Sequence, residues 1–523
     1  MLKRLYIGGT ILTMEGGGTA DYLFCEDGKI CAVGRGEPPS VLADEIINLD
    51  GAALMPSFID AHGHFSGCAN ALLRPSLEGA NSAKAICEKI ETYIQKANPR
   101  PDEWIVAVNC DLDLSADGRL LRADMLDRVS GGRPLALQHK SGHMGVFNTP
   151  AMQKLGVCGN TPSAPGGFIE KTDGVPTGYM EETDFISRIR QIPAPDAEKL
   201  LHAYEQAQTQ YLSYGITTVQ DGMMVSELLP VWQKLLERRL LRIDVVGYPG
   251  MADFGAYFAE YQAGIYHRNF KVGGVKIFLD GSPQGRTAWM RTPYAPREKD
   301  GGAPYFGYGT MTDAEVERAV SFAADNHLQL LAHCNGDRAA QQFLQALALR
   351  PAAGNRPVMI HAQLLGTDQL KQVKELSVIP SFFVAHVYHF GDTHAANLGF
   401  DRASKISPLR SAKEAGILFT LHQDAPVIAP DMLESVWCAA MRETRSGITL
   451  GKDERIDAYD ALSAVTRNAA YQYFEEAQKG TLAPGKYEDV VLLDRNPLSV
   501  APENIREIQV LQTVRRGVVL YRR

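Results

Sequence analysis

Cysteine is scarce and never paired in sequence. The eight cysteines, Cys25, Cys31, Cys68, Cys87, Cys110, Cys158, Cys334 and Cys438, are scattered over 523 residues and form no CxxC pair. A disulfide framework is thereby excluded, and reduced thiols in a cytoplasmic setting are expected. No apolar run approaches the ~18 residues that a membrane helix requires, so no membrane partner is expected. The opening stretch MLKRLYIGGTILTM lacks the features of a signal peptide. Its apolar part is broken by Gly8, Gly9 and Thr10, and no small-residue cleavage site follows. It reads better as a strand. Runs of Lys and Arg, low-complexity segments and internal repeats are also missing. With a formal net charge of −8 and a pI of about 5.9, the chain carries no basic stripe for a nucleic-acid partner.

What is present is ordinary globular material. Hydrophobic residues make up 45% and charged residues 22%. A chain of this length can bury a large core without cross-links. At roughly 100–200 residues per domain, it suits a few domains or one large barrel with additions. The first residues hold short β-patterned pieces, LYIGGTILTM, ADYLFCEDGKICAVGR and DEIINLDGAALMP, with a hairpin signal at Asp27-Gly28. KGTLAPGKYEDVVLLD and EIQVLQTVRRGVVLYRR near the other end have the same character. Between them, apolar strands alternate with amphipathic helices: LMPSFIDAH, PLALQHK, GITTVQDG, LRIDVVGYP, GGVKIFLDG, LQLLAHCNG, RPVMIHAQ, SVIPSFFVAH and GILFTLHQD. One such helix begins at Thr312, which with Glu315 has the spacing of a capping box. This rhythm predicts a parallel sheet with helical crossovers.

The expected architecture is therefore α/β: a (β/α)8 TIM barrel with an insertion, plus a small β-sandwich domain formed from both chain termini. The expected boundaries are 1–54 for the first part of the sandwich, 55–475 for the barrel with its insertion around 66–174, and 476–523 for the second part.

PSFIDAHGHF carries His62 and His64 two residues apart, which on a strand puts both on one face. The pair would sit at a strand's C-terminal end, where barrel enzymes keep their active sites. Taken alone, HxH also suits two polar loop residues. GGVKIFLDGS buries Lys276 in an apolar strand, where a lone ammonium is costly. It is either a snorkelling lysine or one converted by CO2 into an anionic carbamate able to bridge two metals. His333, His361 and Asp424 each end an apolar strand, in QLLAHCNGD, PVMIHAQ and LFTLHQDAPV. Imidazole and carboxylate together suit zinc and similar divalent ions, one or two per chain. Such an ion lowers the pKa of bound water to about 7, giving hydroxide that attacks a carbonyl-type carbon. Asp424 is the candidate to move the proton to the leaving group.

Taken in order, this set resembles the amidohydrolase superfamily, and in detail its branch that includes N-substituted formamide deformylase. SGHMGVFNTPAM, GVPTGYMEE, YGITTVQDG, VKIFLDGSPQGRTA, LAHCNGD, IHAQ, HVYHFGD, LRSAKEAGI, QDAPV, AVTRNAAYQYF and GTLAPGKYEDVVLLDRNP carry the resemblance over essentially the whole chain. It implies hydrolysis of an amide-like C–N bond of a small-molecule substrate. It implies His62, His64 and Asp424 on one metal, Lys276 as a bridging carbamate, and His333 and His361 on a second. It implies His143 in the substrate pocket, with Arg286 a further pocket candidate unless Asp280 or a backbone carbonyl ties it down. His386, in VAHVYHFGDTH, is another substrate candidate. Relatives of this kind are often homodimers. Two departures stand out. His422-Gln423 replace the usual Gly-Ser before the late Asp, narrowing the pocket or supplying a partner to a ligand. Pro283 and Gln284 stand where small or apolar residues are common. Two other readings stay open: a deaminase of a ring C–N bond, whose pattern lacks a bridging lysine, and an inactive relative, which would typically have lost ligands.

Overall fold

The computed structural model describes residues 2–40, 42–80, 82–110, 121–139, 144–164, 167–193, 195–296, 303–351 and 353–523. The chain divides into two compact units, one made of Met1–Gly67 and Glu205–Arg523, the other of Cys68–Tyr204.

In the first unit the two chain ends share sheets. A six-stranded sheet runs Val518–Arg522, Val510–Arg515, Val490–Leu493, Ala53–Pro56, Thr10–Leu12, Thr19–Ala20, and a four-stranded sheet runs Lys29–Gly34, Tyr22–Glu26, Lys3–Ile7, Glu45–Asn48. Val490–Leu493 pairs antiparallel with Ala53–Pro56, so late chain is hydrogen-bonded directly to early chain. Tyr6, Ile11, Leu23, Ile30, Leu54, Val490 and Val514 pack together in one apolar cluster. The Asp27-Gly28 turn joins Glu26 to its partner Lys29, with φ of 47° and 74° at the two turn residues. Both are left-handed, as a tight two-residue hairpin turn of the primed type requires. A side chain at Gly28 would also collide with the backbone of Arg516.

The same unit holds two parallel sheets. One runs Phe270–Val272, Asp244–Pro249, Ile216–Met224, Phe58–Ile59; the other runs Gly274–Phe278, Gln329–Cys334, Val358–His361, Ile379–Phe382, Thr420–Leu421. A parallel bridge between Gly250 and Lys276 links the two. Beyond the last strand, the Asp424 N–H donates to the His62 carbonyl and the His64 N–H to the Ala425 carbonyl. Asp244–Pro249 is buried along its whole length and Gln329–Cys334 nearly so. They therefore read as continuous apolar runs rather than alternating ones. The helices Asp313–Asp325, Asp337–Leu349 and Leu370–Glu375 make the crossovers. The first of these starts with the Thr312–Glu315 capping box in place. LMPSFIDA, which reads as one strand, is split. Ala53–Pro56 belongs to the terminal sheet and Phe58–Ile59 to a parallel one, with Ser57 N–H bonded to Asp489 and Phe58 N–H to Gly215. The chain changes hydrogen-bonding partners at that point, which an apolar pattern cannot register.

The second unit has a mostly antiparallel sheet in the order Gly167–Thr172, Val175–Glu181, Met144–Phe147, Leu135–His139, Ile105–Cys110. PLALQHK lies here, parallel to Ile105–Cys110 and antiparallel to Met144–Phe147, and belongs to neither of the two parallel sheets of the first unit. Ile86, Ile90, Leu126, Leu135 and Leu137 anchor its core. Among the described residues no helix is long and apolar enough to cross a membrane. All the cysteines are free thiols.

Candidate metal centre

Parallel pairing sets the frame. Lys276 is level with Leu331, Phe278 with His333, Cys334 with His361, and His361 with Phe382. His333 and His361, at the carboxyl ends of their strands, and Lys276, two residues before the end of its own, are thereby delivered toward one end of the sheet, where α/β folds place their ligand sites.

His62 and His64 face the same carboxylate. Each Nε2 lies 3.3 Å from Asp424 Oδ1. His62 Nδ1 is 2.5 Å from Gln220 Oε1, and His64 Nδ1 is 2.7 Å from the Gly222 carbonyl. Gln220 is itself fixed, because its amide N–H groups donate to the Ala61 carbonyl and to Tyr473 Oη. Only an acceptor therefore faces each Nδ1, so the ring protons sit on Nδ1 and the Nε2 lone pairs point at Asp424. Asp424 Oδ1 is buried and accepts no hydrogen bond among the described residues. Lys276 Nζ, 3.1 Å from His62 Nε2, answers one of these lone pairs, while His64 Nε2 and Asp424 Oδ1 meet without a proton between them, a repulsion that a bound cation would relieve. His62, His64 and Asp424 offer ligand atoms within 4.8 Å of one another. Their chemistry fits a divalent ion of zinc type.

Burial, with the charge of Lys276 next in importance, lowers the His62 pKa to about 4, so this ring is neutral near pH 7. Lys276 is buried, with Nζ 3.1 Å from His62 Nε2 and 4.8 Å from the centre of the Phe278 ring. Burial lowers its pKa from 10.5 to about 8, against the pull of Asp424 and Asp221. Gly222 makes room for this cluster. A Cβ there would lie 2.9 Å from the His62 ring and 3.2 Å from Lys276 Nζ.

His361 lies on the other side of Asp424, with Nε2 3.9 Å from Oδ2. The His333 ring packs edge-on against it at 4.6 Å between centres. His333 turns Nε2 toward Asn335 Nδ2 at 2.9 Å and the Gly281 carbonyl at 3.3 Å, leaving Nδ1 as its free ligand atom. Asp280 accepts the N–H groups of Asn335, Gly336 and Trp289 and thereby ties down the loop behind His333. Burial pushes the Asp280 carboxyl up to about 7 in spite of those bonds. His361 and Asp424 have φ of 70° and 53°. Left-handed backbone at non-glycine residues is costly and concentrates at functional sites.

The other candidates are spread out. His143 lies outside the described residues. His386 is buried, with its Nδ1 3.2 Å from His394 Nε2 and its ring 4.4 Å from that of Phe383, which in turn packs on His361 and His422. Arg286 is buried and donates to the Ala295 carbonyl at 2.8 Å, between the rings of Tyr294 and Tyr305. That is the backbone-carbonyl tie left open above. Sequence reasoning missed Gln220, Asp221, Asp280, Ser381 and Tyr473 as supports. The signal was available for some of them: Gln220-Asp221 and Asp280 are polar residues closing apolar strands in GITTVQDG and KIFLDG.

Residues 45–521 match the amidohydrolase family. N-substituted formamide deformylase of Arthrobacter pascens is 25% identical over 497 aligned positions, covering 92% of this chain and 90% of that protein. Protein LONG AFTER FAR-RED 3 of Arabidopsis thaliana is 26% identical, covering 99% and 91%. An uncharacterized metal-dependent hydrolase of Pyrococcus horikoshii OT3 has a similar fold, with a TM-score of 0.78 and 23% identity over 96% of this chain and 99% of that one.

Proposed function

The chain belongs to the amidohydrolase family, and from that premise we propose that it hydrolyses the C–N bond of an amide or N-substituted formamide with the help of bound divalent metal. The observation that carries this reading is the convergence of the His62 and His64 lone pairs on a buried, unpartnered Asp424 oxygen, with Lys276 alongside. His62, His64 and Asp424 would hold one zinc-type ion, and His333 and His361 a second. Lys276, once carbamylated by CO2, would supply the anionic bridge. Such ions, when bound, acidify water and polarise the scissile carbonyl.

The side chains of this chain account for the rest. Asp424 takes the proton of the attacking water on a carboxylate oxygen and returns it to the leaving nitrogen, so that amide and water become acid and amine. Gln220 and the Gly222 carbonyl keep the His62 and His64 lone pairs aimed inward. His143 and His386 are the proposed substrate contacts, Arg286 being held by the Ala295 carbonyl. A buried lysine against His62 supports hydrolysis over ring deamination, whose pattern lacks that lysine. In this reading the two parallel sheets form one closed (β/α)8 barrel, Phe270–Val272 and Gly274–Phe278 counting as one strand interrupted at Gly273, with a sandwich built from both termini and an insertion between. Eight cysteines outside any disulfide support a cytoplasmic setting, and a homodimer is the proposed assembly.

The test is elemental analysis of the purified protein, with and without bicarbonate, followed by turnover on N-substituted formamides and on a ring amine. One or two zinc-type ions per chain with formate release is the expected result. A protein that binds no metal, or that releases only ammonia from the ring amine, refutes the proposal.

A further inference from the structure

His422 stands two residues before Asp424 and is completely buried. Its Nε2 lies 3.1 Å from His361 Nδ1 and its Nδ1 lies 2.8 Å from Ser381 Oγ. The three side chains come from the ends of neighbouring strands: Val358–His361, Ile379–Phe382 and Thr420–Leu421. Their rings and hydroxyl form a line that ends at the metal-facing Nε2 of His361.

Only one hydrogen fits between two ring nitrogens 3.1 Å apart. If it belonged to His422, the His361 proton would sit on Nε2 and block that atom as a ligand. If it belongs to His361, Nε2 presents a lone pair, His422 Nε2 is the acceptor, and the His422 proton must be on Nδ1, donated to Ser381 Oγ. The second arrangement alone makes His361 a ligand, and it needs both His422 and Ser381.

We propose that His422 is a positioning residue, anchored by Ser381, that selects the metal-binding tautomer of His361. The inference rests on the metal reading above. Most metal-bound imidazoles lean on a carboxylate, a carbonyl or water. Here the acceptor is a neutral imidazole held by a hydroxyl. It fixes the ring without adding negative charge behind it, so His361 donates less electron density and its ion stays the stronger Lewis acid. The ring nitrogens of His422 face His361 and Ser381, and its ring edge also packs against His62, 5.1 Å between centres.

The experiment is zinc affinity by chelator competition on full-length protein, for wild type, His422→Phe, His422→Gln and Ser381→Ala, with thermal midpoints recorded alongside. His422→Phe keeps the bulk but removes the acceptor, and should weaken the ion held by His361 by about 10–100-fold. His422→Gln can accept the same hydrogen and should recover most of the loss, while Ser381→Ala should fall between. Nitrogen-15 NMR of histidine-labelled, zinc-loaded wild type should find the His422 proton on Nδ1. A folded His422→Phe protein with unchanged zinc affinity overturns the proposal, and so does a His422 proton on Nε2. If His422→Phe does not fold, Ser381→Ala and the NMR result decide. Wild type that binds no zinc overturns the metal reading itself, a result distinct from wild-type binding with indifferent variants.

Discussion

Lys276 can only react with CO2 as a free amine, and burial decides how much of it is free. With the pKa lowered from 10.5 to about 8, the neutral fraction at pH 7.5 is about one quarter, against about one thousandth for an ordinary lysine. This is a gain of roughly 250-fold, equivalent to about 3 kcal/mol of preference for the reactive form. Two consequences can be read by assay. Between pH 8 and pH 6 the neutral fraction should fall from about one half to about one hundredth. Above pH 8 the rate of carbamate formation should level off, because the amine is already free, whereas an exposed lysine would keep gaining about tenfold per pH unit up to pH 10. The measurement is carbon-13 NMR of metal-free protein under a fixed partial pressure of labelled CO2, since total bicarbonate changes its CO2 content with pH. Uptake that still rises tenfold per unit through pH 9, or a carbamate signal that survives in Lys276→Gln, refutes the reasoning.

Asp424→Asn should fold, keep most of its metal and lose several orders of magnitude in kcat, because the amide cannot accept the proton; near-normal turnover removes Asp424 from proton transfer. Gln220→Ala removes the acceptor that aims His62 and should lower metal affinity by about 10–100-fold in a chelator competition while leaving secondary structure unchanged by circular dichroism. Asp244 lies far from this chemistry, in a buried group with Lys479, Arg515 and Arg516. Burial would raise its pKa, but those three cations bring it down to about 2. Its folded pKa is thus depressed below the ordinary 3.8, so its stabilisation is full above pH ~4 and is lost as pH falls toward 2. Asp244→Asn should cost about 3–5 kcal/mol in denaturant unfolding at pH 7, with the difference from wild type shrinking below pH 4. A cost under about 0.5 kcal/mol at neutral pH would mean that the pairs contribute nothing net.

Much of this molecule is written locally. The Asp27-Gly28 hairpin needs two left-handed residues in a row, and those two residue types supply them. The capping box at Thr312 is a matter of spacing along one turn of helix. Apolar runs closed by His62, His64, His333, His361 and Asp424, and one interrupted by Lys276, announce strands with chemistry on them, since strand periodicity and the cost of burying charge are properties of short segments. What periodicity does not carry is which strands become neighbours and which way each ring turns. Gln220 behind His62, Gly222 beneath Lys276, Asp280 behind His333 and the His361–His422–Ser381 line are pairings between segments up to 158 residues apart in the chain. Each is fixed by strand register and by the demand that every buried polar group find a partner. The split of LMPSFIDA between two sheets has the same origin. Residue identities proposed a metal-binding chemistry; only the packed strands decided which nitrogen of each histidine faces inward, because that choice belongs to the atom on the far side of the ring.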